Sequence, residues 1–353
     1  MGAVVPETML AIRKKAAAPG AELSQVPTPA PGPGEVLIRI KVAAICGTDV
    51  HIYRWDPWAQ QHIRPPMTFG HEFCGEVVAV GPMVKGVAVG DFVTAEGHIT
   101  CGVCHACRTG DGHICENVQI IGVDRDGAFA EYLVMPARNI WHLDPRMPLE
   151  VAAIHDPLGN AVHTAFATEL TSKTVNVIGC GPIGLAAVAI ARWAGAARVF
   201  AVEPMPYRQE LARRMGAHVV IDPGREDPVA RILGETEGLG TDVMLEMSGQ
   251  PQAIRQGFAA LRKGGFAALL GIPAAPMELD LAEAVIFKGA RVQGISGRRM
   301  WDTWYRLQGL IRGGLDFRPL VTHRFTFQQL DQAFELMASG NSGKILLFPK
   351  EVQ

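Results

Sequence analysis

Four cysteines stand within fifteen residues, as Cys101-x2-Cys104-x2-Cys107-x7-Cys115. Thiolates at such spacing suit a tetrahedral Zn²⁺ with a closed shell, an ion that pins a long loop and leaves no position for a substrate. The same spacing leaves disulfides or an iron–sulfur cluster open as alternatives. His105 and His113 fall inside this loop and read as surface residues, because four thiolates already complete a shell. A second set is dispersed: Cys46 in CGTDVH, and the neighbours His71 and Glu72 in GHEF. One thiolate, one imidazole and one carboxylate leave a fourth position free for a hydroxyl, which is what a Lewis-acid catalyst needs. On spacing alone, each of the three also reads as an ordinary buried or surface residue.

Gly179-Cys180-Gly181-Pro182-Ile183-Gly184 fits G-x-G-x-x-G. It follows the strand-like TVNVI and opens a helical stretch, the context in which the motif binds a dinucleotide. Gly179 permits the tight turn, Gly181 admits the pyrophosphate, and Gly184 packs helix on strand, with the phosphates at a helix N-terminus. Glu203 follows Gly184 by nineteen residues, at the end of the next strand. An acid there accepts from ribose hydroxyls and repels a 2′-phosphate, favouring NAD over NADP, while the nearby Arg208 softens that preference. The bland alternative is a packing turn with a solvated Glu203.

These residues need rigid elements to hold them. Glu35–Ile45 (EVLIRIKVAAI) alternates like a strand, and Gly and Pro punctuate the first 150 residues, which reads as a β-rich domain of short strands and loops. From Thr174 strands and helices alternate: strands are expected at 175–178, 198–202, 219–221, 243–247, 266–270 and 291–295, the pattern of a parallel sheet with helical crossovers. An amphipathic stretch (301–311), a strand (321–327), a helix (327–337) and a strand (344–347) follow. The expected division is 1–160 catalytic, 161–297 dinucleotide-binding, and 298–353 returning to the first domain.

At 353 residues the chain is long enough for two such cores. Hydrophobic residues at 48%, charged residues at 19% and a net charge of -2 suit a folded protein with no basic field, which argues against nucleic acid and anionic membrane as partners. Seven cysteines, four of them crowded together, favour metal over disulfides. Met1–Leu10 lacks the basic flank and apolar core of a secretory signal, and no apolar run reaches roughly 18 residues, so a cytoplasmic protein is expected.

Taken together, Cys46-Gly47-Thr48-Asp49, Gly70-His71-Glu72, the four-cysteine lobe and the later G-x-G-x-x-G resemble the zinc-dependent medium-chain dehydrogenase/reductase family over nearly the whole chain. CGTDVHIYRWDPWAQ (46–60), EGHITCG (96–102), DPLGNAVHTA (156–165), LEMSG (245–249), LLGIP (269–273), IFKG (286–289) and THRF (322–325) resemble its L-threonine-oxidising branch. The resemblance implies a GroES-like β-rich catalytic domain beside a Rossmann domain with a doubly wound parallel sheet. It implies two zinc ions per subunit, one catalytic on Cys46, His71 and Glu72 and one structural on Cys101, Cys104, Cys107 and Cys115, and a homotetramer. Asp156 matches an acid beside the catalytic metal. Ile183, Glu203, Arg208, Leu270, Gly271, Ile272, Ile295 and Ser296 match NAD contacts. Glu203 stands where relatives often carry Asp, and Ser296 where an aromatic occurs.

The activity implied is NAD-dependent oxidation of the L-threonine hydroxyl to 2-amino-3-oxobutanoate, with Thr48 taking the hydroxyl proton, His51 passing it outward, and His98 contacting the amino-acid end. That product readily loses CO₂, which implies coupling to a 2-amino-3-oxobutanoate CoA ligase. The enzymatic alternative is a zinc polyol dehydrogenase acting on sorbitol or butanediol. A non-catalytic relative, such as a lens crystallin or nucleotide sensor, has no need of Cys46, Thr48, His51, His71 and Glu72 together.

Overall fold

The computed structural model describes residues 5–350. They divide into two units, the first made of residues up to Asp156 together with Val321–Ser339 and Lys344 onward, the second of Pro157–Leu320 and Gly340–Gly343.

The first unit begins with β1 (Thr8–Lys14) and β2 (Glu22–Pro27), an antiparallel pair extended by β4 (Met67–Thr68), which follows β3 (Glu35–Ala44) in the chain. The larger sheet centres on β3 and β5 (Glu72–Val80), then β6 (Phe92–Ala95), β9 (Tyr132–Pro136) and β10 (Ile140–His142), while β7 (His98–Ile99) and β8 (Gln119–Ile120) form a small ribbon. β3 is buried at seven of its ten positions, all but Glu35, Arg39 and Lys41, because both its faces are covered. Ile38, Ile40, Phe69, Phe73, Val77 and Phe129 build the core beneath it. Two short helices, α1 (Gly47–Arg54) and α2 (Pro57–His62), leave the end of β3, with α3 (His105–Arg108) in the cysteine loop and α4 (Leu149–Ala153) before the crossing to the second unit.

The second unit opens with α5 (His155–Ala165) and alternates β11 (Thr174–Ile178), α6 (Pro182–Trp193), β12 (Arg198–Val202), α7 (Pro206–Arg214), β13 (Val219–Ile221), α8 (Pro228–Glu235), β14 (Thr241–Glu246), α9 (Pro251–Ala260), β15 (Leu261–Leu269) and β16 (Arg291–Gly294). All pairings are parallel, in the order β13-β12-β11-β14-β15-β16. The strand order reverses between β11 and β14, the switch point outside which α/β sheets bind ligands. β16 is the open edge, exposed at every residue.

The second unit runs further than the expected boundary at 297. The helix α10 (Asp302–Arg312) buries Thr303, Trp304, Leu307 and Leu310 there, and a Cβ on Gly313 behind it would lie 3.1 Å from the Trp193 ring of α6. An amphipathic stripe announces a helix but not which core will cover it. The chain returns to the first unit at β17 (Val321–Thr326), continues through α11 (Leu330–Ser339), and ends in β18 (Lys344–Phe348). β18 inserts beside β3, pairing Leu346 with Ala44 and Leu347 with Ala43. All five of its residues are buried, so the tail completes the large sheet from within.

Candidate active site

In the first unit three segments converge. Cys46 is the N-cap of α1: its N–H donates to Asp49 Oδ2 at 2.8 Å, so the helix start fixes the cysteine. Glu72 begins β5 with His71 just before it, after Gly70, whose φ of +88° and close packing exclude a side chain, since a Cβ there would lie 2.3 Å from the Phe129 ring. The donor atoms of Cys46, His71 and Glu72 all lie within 4.8 Å of one another, a spread that one small ion can bridge. Thr48 Oγ1 stands 4.0 Å from Cys46 Sγ.

The surroundings favour a cation. Burial disfavours an imidazolium at His71, yet Cys46, then Asp49 and Asp156, raise its pKa to about 10. Asp49, wholly buried, lies 3.9 Å from His71 Nδ1, and neither Asp49 Oδ1 nor His71 Nδ1 has a hydrogen-bond partner among the described residues. A site that holds a proton this firmly is built for positive charge, and its thiolate, imidazole and carboxylate are the donor set zinc takes in catalytic sites. One charge is supplied by the protein. Lys344 at the start of β18, 3% exposed, contacts both carboxylate oxygens of Glu72 and donates to the Ile45 carbonyl at 2.8 Å. Burial pushes the Glu72 carboxyl pKa up and opposes the ammonium, while Glu72 draws the Lys344 pKa above its ordinary value. Lys344 carries no signal in the sequence, because it lies 272 residues from its partner.

His98, opening β7, is aimed by Glu96. The buried Glu96 carboxylate accepts from the His98 backbone N–H at 2.9 Å and pairs with its Nδ1 at 2.8 Å, and Asn139 ties down both carbonyls. A Cβ on the intervening Gly97 would lie 3.9 Å from Asp156 Oδ2, which puts the His98 loop beside the acid that acts on His71 and Glu72. His51 projects half-exposed from α1 and is held by Asp56, a partner that sequence reading also missed.

The four lobe thiols gather as spaced. Cys101 and Cys115 sulfurs are 3.5 Å apart, Cys104 and Cys115 3.8 Å, and all four lie within 4.8 Å of one another. Disulfide sulfurs would lie about 2.05 Å apart, whereas tetrahedral Zn–S bonds of about 2.3 Å separate sulfurs by about 3.8 Å. The cluster therefore fits a single zinc. Backbone N–H groups of Val103 and Cys104 lower the Cys101 thiol to about 6, favouring the thiolate a metal requires. His105 is exposed.

In the second unit the glycines divide their work. Gly179 has φ +82°, and a Cβ on Gly184 would lie 1.9 Å from the Gly179 carbonyl oxygen, so neither tolerates a side chain. Gly181, the N-cap of α6, has nothing within 4 Å of its Cβ position: it leaves an open cradle at a helix N-terminus, which fits a pyrophosphate. Ile183 stands in the first turn of that helix. Glu203 directly follows β12, 3% exposed, with Oε2 accepting from Cys180 N–H at 2.7 Å and Oε1 from Met205 N–H at 3.0 Å. It braces the glycine loop while its remaining lone pairs stay available to hydroxyls. A cavity of about 320 Å³ beside it is lined by Gly179, Val202, Pro204, Gly224, Ser248 and Gln250. Arg208 donates to the Ser342 carbonyl at 3.2 Å.

Leu270, Gly271 and Ile272 follow β15, with the N–H groups of Leu270 and Gly271 bound to the Glu246 carbonyl and Ile272 90% exposed. Ile295 is buried after β16 and Ser296 exposed. The buried Glu246 side chain accepts from Ser248 and Gly249, tying the β14 loop in place.

Residues 32–145 match the alcohol dehydrogenase GroES-like domain and residues 182–312 the zinc-binding dehydrogenase domain. An L-threonine 3-dehydrogenase of Symbiobacterium thermophilum is 54% identical, covering 97% of this chain and 98% of that protein. One of Bacillus subtilis is 48% identical, covering 97% and 99%. Among solved structures, a zinc-binding dehydrogenase from Sinorhizobium meliloti bound to NADP superposes with a TM-score of 0.90 at 28% identity, covering 98% of this chain and all of that one. The 2R,3R-butanediol dehydrogenase of Bacillus subtilis gives a TM-score of 0.88 at 30% identity, covering 97% and 100%. With both domains matched and full-length relatives at such identity, the chain belongs to the zinc-binding alcohol dehydrogenase family.

Proposed function

We propose that the chain is a zinc- and NAD-dependent L-threonine 3-dehydrogenase, producing 2-amino-3-oxobutanoate. The observation that carries the substrate is the 54% identity across the full chain to a protein of that name, against 30% to the butanediol dehydrogenase. The local support is that the His98 loop lies beside Asp156, the acid that acts on His71 and Glu72.

Cys46, His71 and Glu72 would hold the catalytic zinc and the four lobe cysteines the structural one, while the Gly179–Gly184 loop and Glu203 would hold NAD. Bound zinc supplies Lewis acidity that lowers the pKa of a hydroxyl, and bound NAD supplies the hydride acceptor. The chain's own residues orient the substrate and move its proton. The proton leaving the hydroxyl goes to Thr48 Oγ as Thr48's own proton passes to His51, whose half-exposed ring releases it to water. His98, fixed by Glu96, receives the amino-acid end, and Asp156 tunes the charge around His71 and Glu72. The carboxylate of Glu203 favours NAD over NADP.

NADH formation from L-threonine, D-threonine, L-serine, sorbitol and 2,3-butanediol, with metal content measured on the same sample, tests the assignment. L-Threonine is expected to give the highest kcat/KM, and a preference for butanediol or sorbitol establishes the polyol reading instead. Assembly as a homotetramer is supported by the open edge of β16 and by the exposed Leu281, Ile286, Phe287 and Val292 around it. Light scattering at working concentration checks it. No helix among the described residues is long and apolar enough to cross a membrane. Decarboxylation-prone product would be consumed by a CoA ligase, a coupling that co-purification or trapped aminoacetone would test.

A further inference from the structure

The turn between α1 and α2 carries a feature that neither the metal triad nor the glycine loop accounts for. Trp55 ends α1 in the left-handed region at φ 57°, unusual for a bulky side chain. The Lys14 ammonium sits 5.1 Å over its ring, and Lys14 also donates to the Gly20 carbonyl, which fixes the turn from outside. The chain then reverses, Asp56 N–H donating to the His51 carbonyl at 3.4 Å, and Pro57 begins α2 at a position proline favours. The reversal brings Asp56 back over the helix it has just left. Its two oxygens do different things: Oδ1 caps α2 by accepting from Ala59 N–H at 3.1 Å, and Oδ2 meets His51 Nδ1.

We propose that Asp56 is a positioning residue for proton removal, taking the His51 Nδ1–H and so leaving Nε2 as the lone-pair nitrogen that accepts the substrate's proton through Thr48. The proposal rests on the relay reading of His51 given above. A neutral imidazole has one donor and one acceptor nitrogen, and the tautomer is set by the partner of the other nitrogen. A carboxylate can only accept, so Nδ1 must carry the proton. Burial opposes the Asp56 charge, but hydrogen bonds from His51 and from the Ala59 and Trp58 amides hold its pKa below the usual carboxylate range, keeping it an acceptor.

The ring is also walled. Trp58 lies with its centroid 5.9 Å from that of His51, and His62 stacks on Trp58 at 4.7 Å. Other charges near this pair are Arg54 in the last turn of α1, and Asp331 of α11, which accepts from the Tyr53 hydroxyl, with Glu335 beside it. Among the described residues Asp56 is the group that meets His51 Nδ1, and so it sets the tautomer.

Because Asp56 both caps and orients, the test must separate the two. Asn and Ser keep an N-cap oxygen, but only Asn reaches His51. In the zinc-loaded enzyme, Asp56→Ser is expected to lower kcat about tenfold, less than the roughly 10²–10⁴-fold of a general acid–base group itself, with KM for threonine and NAD nearly unchanged and Tm close to wild type. Asp56→Asn, whose amide oxygen still accepts from Nδ1, is expected to recover most of that kcat. Placing Asp56→Ser in a His51→Asn background should add no further loss, the signature of two residues acting as one unit. Additive losses, or a Ser variant with wild-type kcat, overturn the proposal. A His51→Asn enzyme with full kcat overturns it through the relay reading itself, and that outcome is read separately. If threonine proves not to be the substrate, the same cycle is run with the alcohol that turns over best, so the substrate assignment and the dyad fail independently.

Discussion

The two clusters of metal-ligating side chains differ in how far apart their parts lie in the chain. The cysteine lobe draws every ligand from residues 101–115 and surrounds them with its own backbone N–H groups, Cys101, Cys104 and Asn117 donating to lobe sulfurs. The Cys46–His71–Glu72 cluster draws on the end of β3, the start of β5, Asp156 and Lys344, and only their joint folding brings the charges together. A contiguous site is a local object, buildable with little of the rest of the fold. A dispersed site is a readout of the whole sheet. The glycine loop sits with the lobe in this respect, and the difference predicts where damage spreads.

The largest effect should come from the dispersed site. Cys46→Ser is expected to lower turnover about 10³-fold or more, the scale of several kcal/mol of Lewis-acid assistance, and to reduce bound zinc from two ions to one per chain. Elemental analysis with an NADH assay checks both, and a variant that keeps two ions breaks the ligand assignment. Lys344→Met leaves Glu72 as a buried carboxylate without its cation, a loss of about 3–5 kcal/mol that thermal unfolding of the metal-depleted protein should show as a clear drop in Tm. An unchanged Tm there would mean that the tail is an accessory to the sheet.

Damage to the lobe should stay local. Cys104→Ser is expected to lose the other zinc and open residues 100–118 to proteases, while the Cys46 cluster keeps its ion and most turnover at 25 °C; loss of both ions together would erase the contrast. The smallest effect belongs to Gly181→Ala. Its Cβ enters open space, so Tm should hold while NAD affinity falls about tenfold, equivalent to about 1.4 kcal/mol. Gly184→Ala, meeting the Gly179 carbonyl oxygen, should instead destabilise the unit.

The same contrast explains what could be read from the sequence. The parallel sheet was legible because its central strands are short buried runs between helices, and 198–202 and 219–221 carry the expected bounds. The thiolate spacing and the glycine motif were legible because their chemistry is contiguous. Lys344 was not, since a lysine in a C-terminal strand looks like any edge charge until β18 is threaded beside β3. Asp56 was hidden for a different reason: its meeting with His51 depends on Trp55 adopting a left-handed backbone, which nothing in its side chain announces. The destination of 302–312 was also unreadable, because an apolar stripe fits either core.

The threading of β18 has a consequence in time. Glu72 is made 272 residues before Lys344, and at about 5–20 residues per second a ribosome takes about 14–54 s to cover that interval. During it the carboxylate has no ammonium to meet, and the gap beside β3 stands open. A nascent chain therefore holds an unfinished acidic pocket, and Lys344 is the component that closes the order of assembly.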